Sequence, residues 1–204
     1  MVRRTLKLGA PLLGVLLLVW HFYAAMESRA RDERLWLAIA TNQVSVAEAL
    51  VDQGANVGRV FPDRSSMLWA AIHSQNPQLV RFVLDHKVPI DSGWREGPDA
   101  LIWAAGSGNS DIVQTLIERG VDVNARNGGY MAGTFTPLTV AALDGRTRIV
   151  QMLLLHGADP TICENYGGST PMQLAISERH WGVVKLLRDY ERKRRTGQNK
   201  RART

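Results

Sequence analysis

The chain has 204 residues, 45% hydrophobic and 22% charged, with 18 glycines, 8 prolines and one cysteine. These proportions exclude a disordered, collagen-like or disulfide-stapled chain, and the lone Cys163 can build neither an internal disulfide nor a thiolate cluster for zinc. The net charge of +6 is terminal: residues 191–204 hold seven Lys/Arg against Glu191, Arg3, Arg4 and Lys7 open the chain, and residues 8–190 carry 15 basic and 18 acidic groups, a slightly acidic body.

Nineteen uncharged residues run from Leu8 to Met26, with Leu12, Leu13, Val15, Leu16, Leu17, Leu18, Val19 and Trp20 in their apolar centre. As a helix at about 1.5 Å per residue the stretch reaches about 29 Å, one hydrocarbon thickness, so residues 1–27 read as an anchor that crosses a membrane once. A cleaved secretory signal would share the basic start and apolar middle, but it needs small residues at the third and first positions before the cut. Tyr23 and Phe22 fill the third position for cuts after Ala25 and Ala24, and Trp20, Phe22 and Tyr23 cluster where an interfacial aromatic belt sits. The uncleaved anchor is the favoured reading; secretion after cleavage is the alternative. Arg3, Arg4, Lys7 and the free amino terminus, set against Arg29, Arg31 and Arg34, put the N-terminus in the cytoplasm and the rest of the chain on a periplasmic side. The reverse topology, with the body facing the cytoplasm, stays open.

From residue 32 the sequence repeats itself. Leu35-Trp36-Leu37-Ala38-Ile39, Leu68-Trp69-Ala70-Ala71-Ile72, Leu101-Ile102-Trp103-Ala104-Ala105, Leu138-Thr139-Val140-Ala141-Ala142 and Met172-Gln173-Leu174-Ala175-Ile176 start 33, 33, 37 and 34 residues apart. Each string is followed, after a short polar gap, by a second apolar run at helical spacing, such as Ile112, Val113, Leu116, Ile117 or Ile149, Val150, Leu153, Leu154. Two short helices per unit follow, with paired alanines letting them approach. Gly54, Gly120 and Gly157 end the second helix where a left-handed cap is needed, and Lys87 takes that place in the second unit. Ser66-Met67, Asp99-Ala100, Thr136-Pro137 and Thr170-Pro171 open the first helices, with polar caps or with proline in the first turn.

Thr136-Pro137-Leu138-Thr139-Val140-Ala141-Ala142, followed by Gly145, Ile149-Val150, Leu153-Leu154 and Gly157-Ala158-Asp159, resembles an ankyrin repeat, and Gly120-Val121-Asp122-Val123-Asn124 resembles that family's repeat ending. The resemblance covers five units, at about 32–58, 65–91, 98–126, 135–162 and 169–190, and implies an all-α solenoid of helix-turn-helix repeats with β-turn fingers. The histidine that normally follows the first leucine is replaced by Trp36, Trp69, Ile102, Thr139 and Gln173, which removes the family's usual hydrogen bonding between repeats. The first and last units are the least regular, as caps exposing one face to water should be.

Sequence motifs for zinc proteases, phosphate-binding loops, nucleophile elbows and dinucleotide folds are absent. No catalytic, cofactor or metal role is expected, and His73, His86, His156 and His180 read as solvated or capping residues. The resemblance implies instead that a partner protein binds through the fingers and the concave face of the first helices. Finger residues with the character of interface anchors are Phe61 and Arg64, Trp94 and Arg95, Tyr130, Met131 and Phe135, and Tyr166. Trp103 is expected in the core, Trp36 and Trp69 against each other between the first two repeats, Trp181 partly exposed in the last turn, and Cys163 exposed.

Residues 191–204, with Arg192, Lys193, Arg194, Arg195, Lys200, Arg201 and Arg203 around Gly197, Gln198 and Asn199, have no apolar periodicity and read as a disordered basic tail. The favoured function is a membrane-tethered, non-enzymatic protein-binding module; neither nucleic acid nor a small-molecule substrate is expected. The alternative is an electrostatic tether whose tail holds anionic lipid or nucleic acid. Small anchor-bearing ankyrin proteins are similar to bacterial periplasmic ones that assist or scaffold envelope proteins, so the resemblance implies a bacterial envelope.

Overall fold

The computed structural model describes residues 9–62, 65–88, 100–126, 135–164 and 167–201, with side chains from Leu17 to Thr196 within them. Ten helices follow in these segments: α1 (Gly9–Ala40), α2 (Val44–Asp52), α3 (Met67–His73), α4 (Pro77–Asp85), α5 (Ala100–Ser107), α6 (Ser110–Glu118), α7 (Pro137–Leu143), α8 (Thr147–Leu155), α9 (Pro171–Ser177) and α10 (Trp181–Arg201). Among the described residues the extended pairing is confined to one antiparallel bridge, Val60 with Ser66, at the base of the first finger.

The helices start where the chain supplies side-chain acceptors. Thr136 and Thr139, and likewise Thr170 and Gln173, form reciprocal capping boxes, while Ser66 accepts from Trp69 N and Asn109 from Asp111 N and Ile112 N. Pro77, Pro137 and Pro171 sit in first turns, where a missing N–H has no intrahelical partner to lose. The second helices close on left-handed residues: Gly54, Gly120 and Gly157 at φ +87°, +81° and +92°, and Lys87 at φ +55°, as its place in the repeat predicts.

Odd-numbered helices pack side by side in one layer, α1 on α3, α3 on α5, α5 on α7 and α7 on α9; from α4 onward the even-numbered helices form the second layer. The interior is the sum of the repeats' apolar stripes: Leu35, Ile39, Leu68, Ile72, Leu101, Ile112, Leu116, Leu138, Ile149 and Leu153 are fully buried. Ala70, Ala71, Ala104, Ala105, Ala141 and Ala142 are buried too, and their small size sets the close approach of the inner helices.

Polar links run from the starts of α4, α6 and α8 to the preceding repeat. Asn76 donates to Asn42 Oδ1, Asn109 Nδ2 to Gln75 O at 3.0 Å and Arg146 Nε to Gly106 O at 3.2 Å. Other links span the same register: Arg119 pairs with Asp85, and Arg81 Nε reaches Thr115 Oγ1 at 3.4 Å.

Two sequence readings are corrected, those of the basic tail and of Trp103. Between the stretch read as an anchor and the first repeat, α1 runs unbroken from Gly9 to Ala40. Glu27 to Arg34 contain no glycine or proline, and Arg29 pairs with Glu33 one turn on at 3.0 Å, so nothing stops the helix. Likewise α10 continues through the stretch read as disordered, to Arg201. Its packed first half, with Val183, Val184 and Leu187 buried, supplies the nucleus, and Glu, Arg, Lys and Gln propagate it as good helix formers. Trp103, expected in the core, is 52% exposed. On α5 the positions facing α3 and α7 are taken by Leu101, Ala104 and Ala105, which turn Trp103 outward.

The finger-base end of the stack is pinned at both extremes. Asp32 is 1% exposed; it accepts from Asn56 N at 2.7 Å and pairs with Arg59 at 2.8 Å, while Arg31 donates to Gln53 O at 2.8 Å. At the other extreme Arg194 lies 3.6 Å from Asp159, whose carboxyl is held below its ordinary range by hydrogen bonds from Thr161 and, secondarily, by this arginine.

Two substitutions of opposite sign test the turn chemistry. Lys87→Gly removes a left-handed side chain and should stabilise the fold by about 0.5–1 kcal/mol. Gly145→Ala, at φ +68°, would bring its Cβ within 2.6 Å of the His180 ring and should destabilise by about 1–3 kcal/mol. Urea midpoints at unchanged m-value read both.

Candidate functional site

The inner-layer face that carries the first finger bears a continuous aromatic row. Trp36 and Trp69, in the place of the family's histidine on successive repeats, stack with centroids 6.4 Å apart and planes 12° apart, as expected from their register. Phe61 meets Trp36 edge-on at 6.3 Å. On the other side His73 stacks on Trp69 at 3.8 Å and reaches Trp103 at 5.3 Å, so five rings run from the first finger to the third repeat.

Helical spacing builds this row. Trp69 and His73 are four residues apart on α3, the separation at which side chains on one helix meet, and His73 Nδ1 lies 2.9 Å from Trp69 O, which fixes the ring over the tryptophan. The reading of His73 as a capping residue holds for that contact, as it does for His86 and His156, which bond Phe82 O and Met152 O in the same way. What it missed is the ring's place between two tryptophans; the Trp69–His73 spacing was the available signal.

Beside the row, Glu33, Trp36, Phe61, Pro62 and Ser65 line an open groove of about 340 Å³. The Trp36 Nε1 donor is buried and has no acceptor among the described residues. Arg59 lies 5.9 Å above the Phe61 ring while pairing with Asp32, so the groove wall is tied to α1. The groove therefore offers ring faces and the Glu33 carboxylate, which Arg29 pairs with, within one shallow site.

The predicted finger anchors fare differently. Phe61 turns back onto Trp36 and is half-buried, so it forms a groove wall rather than a free tip. Phe135 is also half-buried, just before α7. Arg64, Trp94, Arg95, Tyr130, Met131 and Tyr166 lie outside the described residues. Trp181 is 62% exposed at the start of α10, as expected, and Cys163 is only half-exposed.

The two terminal features keep their own character. Of the predicted span, Leu12, Leu13, Val15 and Leu16 belong to α1 but their side chains lie outside those described, whereas Leu17, Leu18, Val19 and Trp20 are all exposed, Leu18 at 72%. Among the described residues no helix is long and apolar enough to cross a membrane. Arg192, Lys193, Arg194 and Arg195 are exposed on α10, Lys200 and Arg201 continue that helix, and Arg203 lies outside the described residues.

Comparison with known proteins matches this architecture. A family model described as ankyrin repeats in three copies matches residues 35–127, and a second, ankyrin repeats in many copies, matches residues 133–175. An Escherichia coli protein named as an ankyrin repeat protein, YahD, is 28% identical over 156 residues, which cover 74% of this chain and 76% of that protein. The palmitoyltransferase AKR1 of Lachancea kluyveri is 32% identical over 120 residues, 57% of this chain but 16% of the enzyme. The nuclear factor NF-kappa-B p105 subunit of Gallus gallus is 30% identical over 155 residues, 74% of this chain and 15% of that protein. The chain thus spans about a sixth of the length of these last two relatives.

Truncating the aromatic row separates its ends energetically. Trp103→Ala, at an exposed ring, should cost under about 1 kcal/mol, whereas Trp36→Ala, which removes contacts to both Phe61 and Trp69, should cost about 2–3 kcal/mol. Urea unfolding of the two variants reads the difference.

Proposed function

Because the chain belongs to the ankyrin-repeat family, whose repeats generally mediate protein–protein interaction, we propose that it is a non-enzymatic module that grips a partner protein along its inner-layer face and fingers, tethered to a membrane by the first part of α1. The palmitoyltransferase relative is matched over 16% of its length and carries no activity over to this chain. The observation behind the binding reading is the aromatic row ending at the exposed Trp103. Stacking the repeats does not require this ring to face water, and tryptophan is among the residues that most often dominate binding energy. The groove between Trp36 and Phe61 would seat an apolar side chain of the partner against the two ring faces.

The tether reading is supported by the uncharged run from Leu8 to Met26 and by the exposure of every large apolar side chain described in its second half, Leu17, Leu18, Val19, Trp20, Phe22, Tyr23 and Met26. The charge pattern around it favours the repeats on the periplasmic side. Binding through rings rather than charges should resist salt.

The test uses the full chain, purified in detergent with its associated proteins. The double variant Trp69→Ala/Trp103→Ala should keep the wild-type circular dichroism yet lose a partner that the wild type retains at about 0.5 M salt, where charge–charge attraction is largely screened. Retention of the same partner by the folded double variant would sink the reading.

A further inference from the structure

We infer that the basic end of α10 lies on the surface of the same anionic bilayer that the first part of α1 enters, so that the repeat stack is held against lipid at both ends along its finger-base edge. The inference rests on the tether reading given above.

Equivalent contacts at the two ends of the stack place both helices on that edge. Asn56 and Asp159 occupy the same place in their repeats, two residues beyond the left-handed Gly54 and Gly157. Asn56 N donates to Asp32 of α1 at 2.7 Å, and Asp159 lies 3.6 Å from Arg194 of α10. Hence α1 passes the finger base at residue 32, and α10 passes the equivalent base at residue 194. Inner and outer helices of a helix-turn-helix repeat run antiparallel, so α1 leaves this edge toward its N-terminus and α10 leaves it toward its C-terminus. Both overshoot the same side.

The distances agree. Glu27, the first charged residue after the apolar run, lies five residues before Asp32 on α1, about 8 Å at the helical rise. From Arg194 to Arg201 α10 continues for seven residues, about 10 Å. Counted from these equivalent bases the two overshoots are of similar length, which would let the end of α10 meet the headgroup layer that α1 enters.

The chemistry of the two overshoots is complementary. Glu27 to Arg34 carry Arg29, Arg31 and Arg34 against Glu27, Asp32 and Glu33, so this end of the edge is electrically balanced and is held by the apolar run. Beyond Tyr190, α10 carries no large apolar side chain and cannot insert. It carries Arg192, Lys193, Arg194 and Arg195 instead, all exposed and opposed on this helix segment by Glu191 and, one turn back, Asp189. Such a cluster suits the plane of anionic phosphates, where each basic residue multiplies surface partitioning about fivefold. The relation is independent of topology, since the repeats always lie on the side of the membrane where α1 emerges.

The test uses the full chain carrying Cys163→Ser and Thr196→Cys, with an environment-sensitive fluorophore on the new thiol, reconstituted into phosphatidylcholine vesicles with or without about 30 mol% phosphatidylglycerol. The chain should float with both vesicles in about 1 M salt, where the Debye length is about 3 Å, because the tether does not depend on charge. The fluorophore should shift to the blue and be quenched by doxyl-labelled lipid only in the anionic vesicles at low salt. Converting Arg192, Lys193 and Arg195 to Gln should lower that docked fraction at least about tenfold while leaving flotation intact. Failure to float on either vesicle would overturn the tether reading and this inference with it. Flotation with identical emission in the two vesicles would overturn the inference alone.

Discussion

No repeat of this chain can cover its own apolar stripe. Leu68, Ala71 and Ile72 of α3 are dry because α1 and α5 flank them, and Leu138 and Ala142 of α7 because α5 and α9 do. Stability in such a stack is a sum of unit and nearest-neighbour contributions, and each interface depends on alanines small enough to let helices meet. That requirement fixes which faces are spent on folding and which are left to vary. It also makes the first and last described repeats special, since each has a described neighbour on one flank alone.

These two repeats are finished in different ways. At the first repeat a buried carboxylate, Asp32, joins α1 to the loop after α2 and to Arg59, and Arg59 in turn leans over Phe61. Removing one partner of such a pair strands the other, so the contact acts as a clasp more than as a source of net stability. At the last repeat the covering is apolar, through Val183, Val184 and Leu187 of α10, and the helix then runs on as a charged rod. The inner-layer face between the ends is where the aromatic row lies, with Phe61, Trp36 and Trp69 packed half-buried against the core and Trp103 exposed.

Much of the scaffold was legible in the sequence because stacking imposes a period. The five apolar strings, the caps at Ser66, Thr136 and Thr170, the left-handed Lys87 and the Trp36–Trp69 stack all follow from register alone. What escaped depends on which way a residue points where period is uninformative. Ala100 to Ala105 are apolar throughout, so no stripe distinguishes Trp103 from its buried neighbours, and its outward turn emerges only from the helices on either side. Phe61 looked like a finger tip because sequence does not reveal how a turn folds back onto Trp36. The continuation of α10 was missed because a charged run without an apolar face reads as solvated, yet it extends a helix already nucleated by packing. Of the candidate interface, the register of Trp36 and Trp69 was visible, whereas the joining role of His73 was not.

The central claim is that the inner-layer face, and not the outer helices, is where a partner protein docks. The most direct measurement places a photoreactive amino acid at Trp103, and separately at Leu155, which is 76% exposed at the end of the outer helix α8. Illumination of cells expressing each full chain should give a discrete covalent adduct from position 103 and none from position 155. Adducts from position 155 with none from position 103, in chains shown to be folded, would contradict the account.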